Sequence, residues 1–170
     1  MRLPFLRKAA AADDPLVVSM SGARLGDAVV FAGQSAALAL PLAARTGLSG
    51  RCLVVGRPES TAALEAAATR DGLSIETADR FPTDRFFELA VVEAVGEWAA
   101  AAAGAREAVR GGGRIIVVAG SPRQGLLAWF SARPPEISAE AIVETLSSQG
   151  WQRTRPIGGR DGLHFIEAFA

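Results

Sequence analysis

At 170 residues, with 49% hydrophobic and 21% charged residues, the chain is long enough for one domain with its own core and too apolar for disorder. Its formal net charge of zero argues against nucleic acid as the main partner, because phosphate-binding domains usually carry a basic excess. One cysteine and one histidine leave little from which to build a metal centre, exclude an internal disulfide and fit a reducing compartment.

Residues 1–14 read as an N-terminal arm. Pro4 breaks any early helix, and apolar anchors (Leu3, Phe5, Leu6) are mixed with cations (Arg7, Lys8). That mixture suits docking into a protein groove or onto an anionic membrane surface, and equally suits a solvated tail. The arm lacks the apolar stretch and cleavage pattern of a signal peptide. No segment approaches the roughly 18 apolar residues that would span a bilayer. The sequence therefore reads as cytoplasmic, either free or peripheral on the cytoplasmic side of a membrane.

From Asp13 the pattern becomes regular. Acids ahead of Pro15 predict a short helix to about Ser21. Asp27 to Ala32 is a short apolar run suited to a buried strand, and Gln34 to Arg45 predicts a helix that Pro41 should kink. Arg51 to Val55 predicts a second strand, Glu59 to Arg70 a helix closed by Asp71 and Gly72, and Leu73 to Thr77 a third strand. Phe87 to Val92 is a fourth apolar run, Glu97 to Arg110 an Ala-rich helix ended by Gly111 to Gly113, and Arg114 to Ala119 a fifth strand. Residues 120–137 read as a loop around the apolar island Leu126 to Phe130. Trp129 and Phe130 in that island are either a contact surface for a partner or a lid over the sheet edge. Ser138 caps a helix over Ala139 to Gln149, and Trp151 to Ile157 with Leu163 to Phe169 reads as a terminal hairpin. Continuous apolar strands alternating with helices predict one α/β domain over residues 15–170. Its sheet is mostly parallel, covered on both faces and closed by an antiparallel edge.

That order of elements resembles the class I S-adenosylmethionine-dependent methyltransferases, with a Rossmann-like, mostly parallel seven-stranded sheet and a C-terminal antiparallel hairpin. Gly22 to Val30 looks like the family's lead into its first strand, Gly111 to Val118 like its fifth, and Gly150 to Ile157 with Asp161 to Glu167 like its final hairpin. Fold does not fix function, so the site is argued separately.

In that family the loop after the first strand carries an acid followed by a Gly-x-Gly-x-Gly pattern. The glycines let backbone approach the cofactor, and the acid orients its charged amino-acid portion. In the matching stretch here only Gly33 is kept: Phe31 stands at the acid position, while Ser35 and Ala37 replace the later glycines. At the end of the second strand the family places an acid on the ribose hydroxyls. Here Arg57 stands near that position, and a guanidinium cannot accept those bonds. Glu59, two residues later, fits the first turn of the helix, where its charge favours the dipole. Asp79 matches the acid that in the family faces the adenine amine, and reads equally well as a solvated loop acid. Glu93 is the one candidate acid after the fourth strand, and Trp98 beside it reads as core.

Other chemistries score lower. Cys52 lies in an apolar run and reads as a buried hydrophobe. His164 sits between Leu163 and Phe165 in a strand and so points to the opposite face from both. No Gly-x-Ser-x-Gly elbow or Walker-type loop occurs.

These residues support two main functional readings. One is a methyltransferase-like protein with degenerate motifs, without cofactor, metal or catalysis, serving as a structural or accessory subunit that docks through the arm to a protein assembly or membrane complex. The alternative is an active S-adenosylmethionine-dependent methyltransferase acting on a small molecule, with Gly33, Ser35, Arg57, Asp79 and Glu93 at the cofactor. A third reading is a binder of another nucleotide or metabolite, with Arg57 facing a phosphate.

Overall fold

A computed structural model describes residues 15–120 and 137–170. The chain alternates helices and strands. They are α1 (Leu16–Ser21), β1 (Ala28–Ala32), α2 (Ala36–Thr46), β2 (Arg51–Val55), α3 (Pro58–Arg70), β3 (Glu76–Ala78), β4 (Phe87–Glu93), α4 (Trp98–Ala108), β5 (Val109–Gly120), α5 (Ala139–Ser148), β6 (Gln152–Arg160) and β7 (Leu163–Phe169). The strands form one seven-stranded sheet in the order β3-β2-β1-β4-β5-β7-β6. β1 to β5 run parallel, and β7 pairs antiparallel with both β5 and β6.

The period-2 alternation of the strands sorts their side chains into two core layers. Val29 and Phe31 of β1 join Val17, Leu38, Leu42 and Leu64 from α1, α2 and α3. Ala28, Val30 and Ala32 join Trp98, Ala102 and Ala105 of α4 and Ile142 and Leu146 of α5. Helices therefore cover both faces, which is why the strands are apolar throughout and not alternately polar. Trp98 is a core residue, as its sequence context suggested.

Several boundaries differ from the sequence expectation, each for a local reason. The third strand is Glu76–Ala78, not Leu73–Thr77, because the N–H of Leu73 closes the end of α3 on the Ala68 carbonyl. The glycines after α4 continue straight into β5, which begins at Val109. A register shift between Phe87 and Leu89 absorbs them, and it turns Phe87 toward α4 while Leu89 faces the other layer. α2 runs through Pro41 unbroken, the missing N–H sacrificing one helical bond. The hairpin turn is shorter than the glycine cluster implied. Asp161 and Gly162 alone form it, with φ of 55° and 84°, the type I′ geometry that suits the twist of paired strands.

Candidate functional site

Along the sheet, the connections from β1 run one way through β2 and β3, while β4 and β5 lie on the other side of β1. In open α/β sheets ligands bind at such a reversal, outside the carboxyl ends of the strands. Two features lie at that end here.

The first is the loop between β1 and α2. Ala32 pairs with Val92, so the following residue of β4, Glu93, is brought beside the loop. Its Oε2 accepts hydrogen bonds from the N–H of Gln34 at 2.8 Å and of Ser35 at 3.1 Å. Ser35 is the N-cap of α2, yet its own side chain makes no cap bond, and the carboxylate supplies one instead. A carboxylate belongs there because the first N–H groups of a helix are unsatisfied and carry the positive end of the dipole. Gly33 makes the approach possible: a Cβ at this residue would lie 2.6 Å from Glu93 Oε2 and 2.8 Å from Phe31 Cζ. Phe31 itself is fully buried in the core, with its ring tip against Gly33.

The second feature is a cleft of about 490 Å³ running along the ends of β1 and β2 to α4. Val55, Gly56 and Arg57 form one side, with Arg57 as the N-cap of α3 and Pro58 in its first turn. Asp79, Arg80 and Phe81 come from the connection after β3. Glu97, Ala101, Gly104 and Glu107 come from one face of α4. Asp79 is paired with Arg80 at 3.5 Å, an exposed pair worth little in stability. Phe81 packs on bare backbone at Gly104, where a Cβ would fall 2.5 Å from the ring. A second hollow, of about 300 Å³, lies at the opposite, amino end of the sheet beside Leu48 and Ile75. Glu65 is the one charged residue lining it, with Thr69 and Ser74 its other polar side chains.

The five residues singled out from the sequence thus fall into two groups. Gly33, Ser35 and Glu93 form one cluster, and Arg57 and Asp79 lie in the cleft. Glu59 is exposed in the first turn of α3, as its position implied. Sequence reasoning missed the α4 wall, although Glu97, Ala101, Gly104 and Glu107 follow the three-to-four-residue spacing of a helix face. Leu3, Phe5, Leu6, Arg7, Lys8, Trp129 and Phe130 lie outside the described residues. Among the described residues no three His, Cys, Asp or Glu side chains gather as a metal site, and no helix is long and apolar enough to cross a membrane.

Burial pushes the Cys52 thiol up to about 12, so it stays protonated. At the amino end of β2, the Arg51 guanidinium hydrogen-bonds Glu76 at 2.8 and 2.9 Å and holds its carboxyl below the ordinary value.

No family model matches the chain, and no curated protein sequence does. Solved structures do. An S-adenosylmethionine-dependent methyltransferase from Aquifex aeolicus superposes with a TM-score of 0.73 at 16% identity, over 92% of this chain and 88% of that one. The chain has the class I methyltransferase fold.

An O-methyltransferase from Thermotoga maritima shares this fold with a TM-score of 0.66 at 19% identity, over 92% of this chain and 64% of that one. The [4+2]-cyclase SpnF shares it at 0.67 and 15% identity, over 91% and 79%. Other neighbours are longer: the chain spans 52% of the pyocyanin biosynthetic protein PhzM. Within the methyltransferase fold, the loop after β1 is where the resemblance puts the cofactor's charged amino-acid end. In this chain the Gln34 and Ser35 N–H groups of that loop already donate to Glu93.

Proposed function

We propose that this protein has lost sulfonium-cofactor binding and methyl transfer and serves as a structural or accessory subunit of a larger assembly. The observation that carries the reading is the internal carboxylate on the loop after β1. Glu93 satisfies the Gln34 and Ser35 N–H groups with charge-assisted bonds, together worth about 1.5–3 kcal/mol at this partly exposed site. A ligand carboxylate would have to displace it. Phe31 and Arg57 replace the two acids expected by resemblance, and losses of that size weaken binding by one to several decades. The SpnF neighbour is named for a cyclisation, a reminder that this fold hosts more than one role. In this reading the arm, through Leu3, Phe5 and Leu6 with Arg7 and Lys8, docks to a protein partner. That assembly is cytoplasmic or sits at the cytoplasmic face of a membrane.

The second reading, an active S-adenosylmethionine-dependent methyltransferase on a small molecule, is favoured by the open cleft beside α4 and by the names of most structural neighbours. Calorimetric titration with S-adenosylmethionine and S-adenosylhomocysteine separates the two. Silence at millimolar ligand is the expected outcome, whereas micromolar binding would establish the enzyme. For the accessory role, the full chain should co-purify with a partner and lose it when residues 1–8 are deleted. Retention of that partner by the deleted chain would remove the arm from the proposal.

A further inference from the structure

The cleft beside α4 keeps one cation without a counter-charge among the described residues. Arg80 is paired with Asp79 at 3.5 Å. The Arg57 guanidinium, by contrast, has no hydrogen-bond or ion-pair partner among the described residues, although its carbonyl accepts from Thr61. Arg57 is exposed at the end of β2, next to Gly56, and it lines the cleft. The remaining charges sit on the α4 wall, where Glu97 and Glu107 flank an apolar stretch made by Ala101 and Gly104. The cleft is therefore no general anion trap. It offers a cation at the β2 end, acceptors at the α4 end and an aromatic wall, Phe81, between the loop and the helix.

In dinucleotide-binding Rossmann folds an acid near the end of the second strand accepts hydrogen bonds from unmodified ribose hydroxyls, and an arginine nearby accommodates a phosphate on the same ribose. The planar guanidinium suits a phosphate bidentately and cannot serve the hydroxyls as an acceptor. We propose that the cleft binds a nucleotide phosphorylated on its ribose ring, a nucleoside 2′- or 3′-monophosphate. Arg57 holds the phosphate, and an amino-bearing base lies along Phe81 with its donors toward the acids. The volume of about 490 Å³ falls within the range of small-molecule sites and accommodates a mononucleotide. This rests on the reading above only in taking the ribose acid as replaced by Arg57, and it needs no methyl transfer.

The test is calorimetric titration of the full chain with adenosine 2′-monophosphate, adenosine 3′-monophosphate, adenosine and inorganic phosphate, each against wild type, Arg57→Ala and Arg57→Asp. At least one monophosphate should bind ten times more tightly than adenosine. Arg57→Ala should abolish that advantage without changing the melting temperature, since the side chain is exposed. Arg57→Asp should make adenosine the better ligand. Equal binding of adenosine and both monophosphates, an advantage that survives Arg57→Ala, or no binding at all would overturn the proposal. Inorganic phosphate binding as tightly as the nucleotides would reduce the site to a bare anion contact and overturn it equally. S-adenosylmethionine titrated in parallel reports on the loss of the sulfonium cofactor alone, so each idea fails by its own measurement.

Discussion

Glu93 shows how one side chain changes the meaning of a loop. Its carboxylate joins two strands to a helix start, and removing it leaves the Gln34 and Ser35 N–H groups without their partner. Glu93→Ala should cost about 1.5–3 kcal/mol, a fall of about 2–4 °C in melting temperature per kcal/mol for a domain of this size. Gly33→Ala should be damaging as well, because its Cβ would lie 2.7 Å from the Glu93 Cβ. In a Glu93→Gly background the Gly33→Ala penalty should shrink, and a double-mutant cycle by thermal denaturation would measure that coupling. Additive penalties would mean that the contact is not what excludes a side chain at Gly33. The Cys52 thiol, buried and raised to about 12, should resist Ellman's reagent at pH 8 until the protein unfolds. Glycine at 33 was legible as a loop residue, but its reason was not. Nothing local in the chain announces that a residue 60 positions on would occupy the space beside it.

At the scale of elements, the amino and carboxyl ends of the strands do different work. The Arg51–Glu76 pair ties β2 to β3 at the amino end, with side chains 36% and 52% exposed. Because Glu76 titrates below the ordinary 4.5, the pair's contribution is present above that value and is lost as pH falls through the lowered one. Exposure limits the effect to about 0.2–1 kcal/mol. Glu76→Gln should therefore lower stability at neutral pH by about 0.2–1 kcal/mol, leave it unchanged in acid and flatten the acid limb of a stability-versus-pH curve by that amount. The terminal hairpin depends on Gly162, whose φ of 84° disfavours any side chain. Gly162→Ala should cost about 1–2 kcal/mol, read as a lower melting temperature with an unchanged denaturant slope. The hairpin was foreseen from its glycines, but its turn length was not, because strand pairing extended through Gly158 and Gly159. The α4 wall was hidden for another reason. Ala-rich helices look alike in sequence whichever face they bury, and only docking on the sheet decides that Ala102 and Ala105 go inward while Gly104 borders the cleft.

Across the whole molecule, one continuous sheet separates two apolar layers and belongs to both. Neither layer can dissolve without exposing the strands that the other covers. Unfolding should accordingly be a single cooperative transition, with near- and far-ultraviolet circular dichroism coincident in urea. Separate transitions would show that the layer containing α4 and α5 melts independently. The same sheet sets the polarity of the molecule, with the cleft and the Glu93 cluster at the carboxyl ends and the Arg51–Glu76 pair at the amino ends.

The fold class follows from the chain alone. Apolar runs such as Val29 to Ala32 and Ile115 to Ala119 have no polar face to offer water, so they demand helices on both sides. The replacements at Phe31 and Arg57 were equally plain, since each removes a carboxylate from a position the resemblance makes specific. What surrounds the replaced positions was decided only by tertiary structure. The register of β1 against β4 carries Glu93 to the loop that Phe31 left without an acid, and the docking of α4 supplies the far wall of the cleft that Arg57 lines. Both are contacts between residues far apart in the chain, and the energies that fix them come from packing across the sheet, which no local pattern encodes.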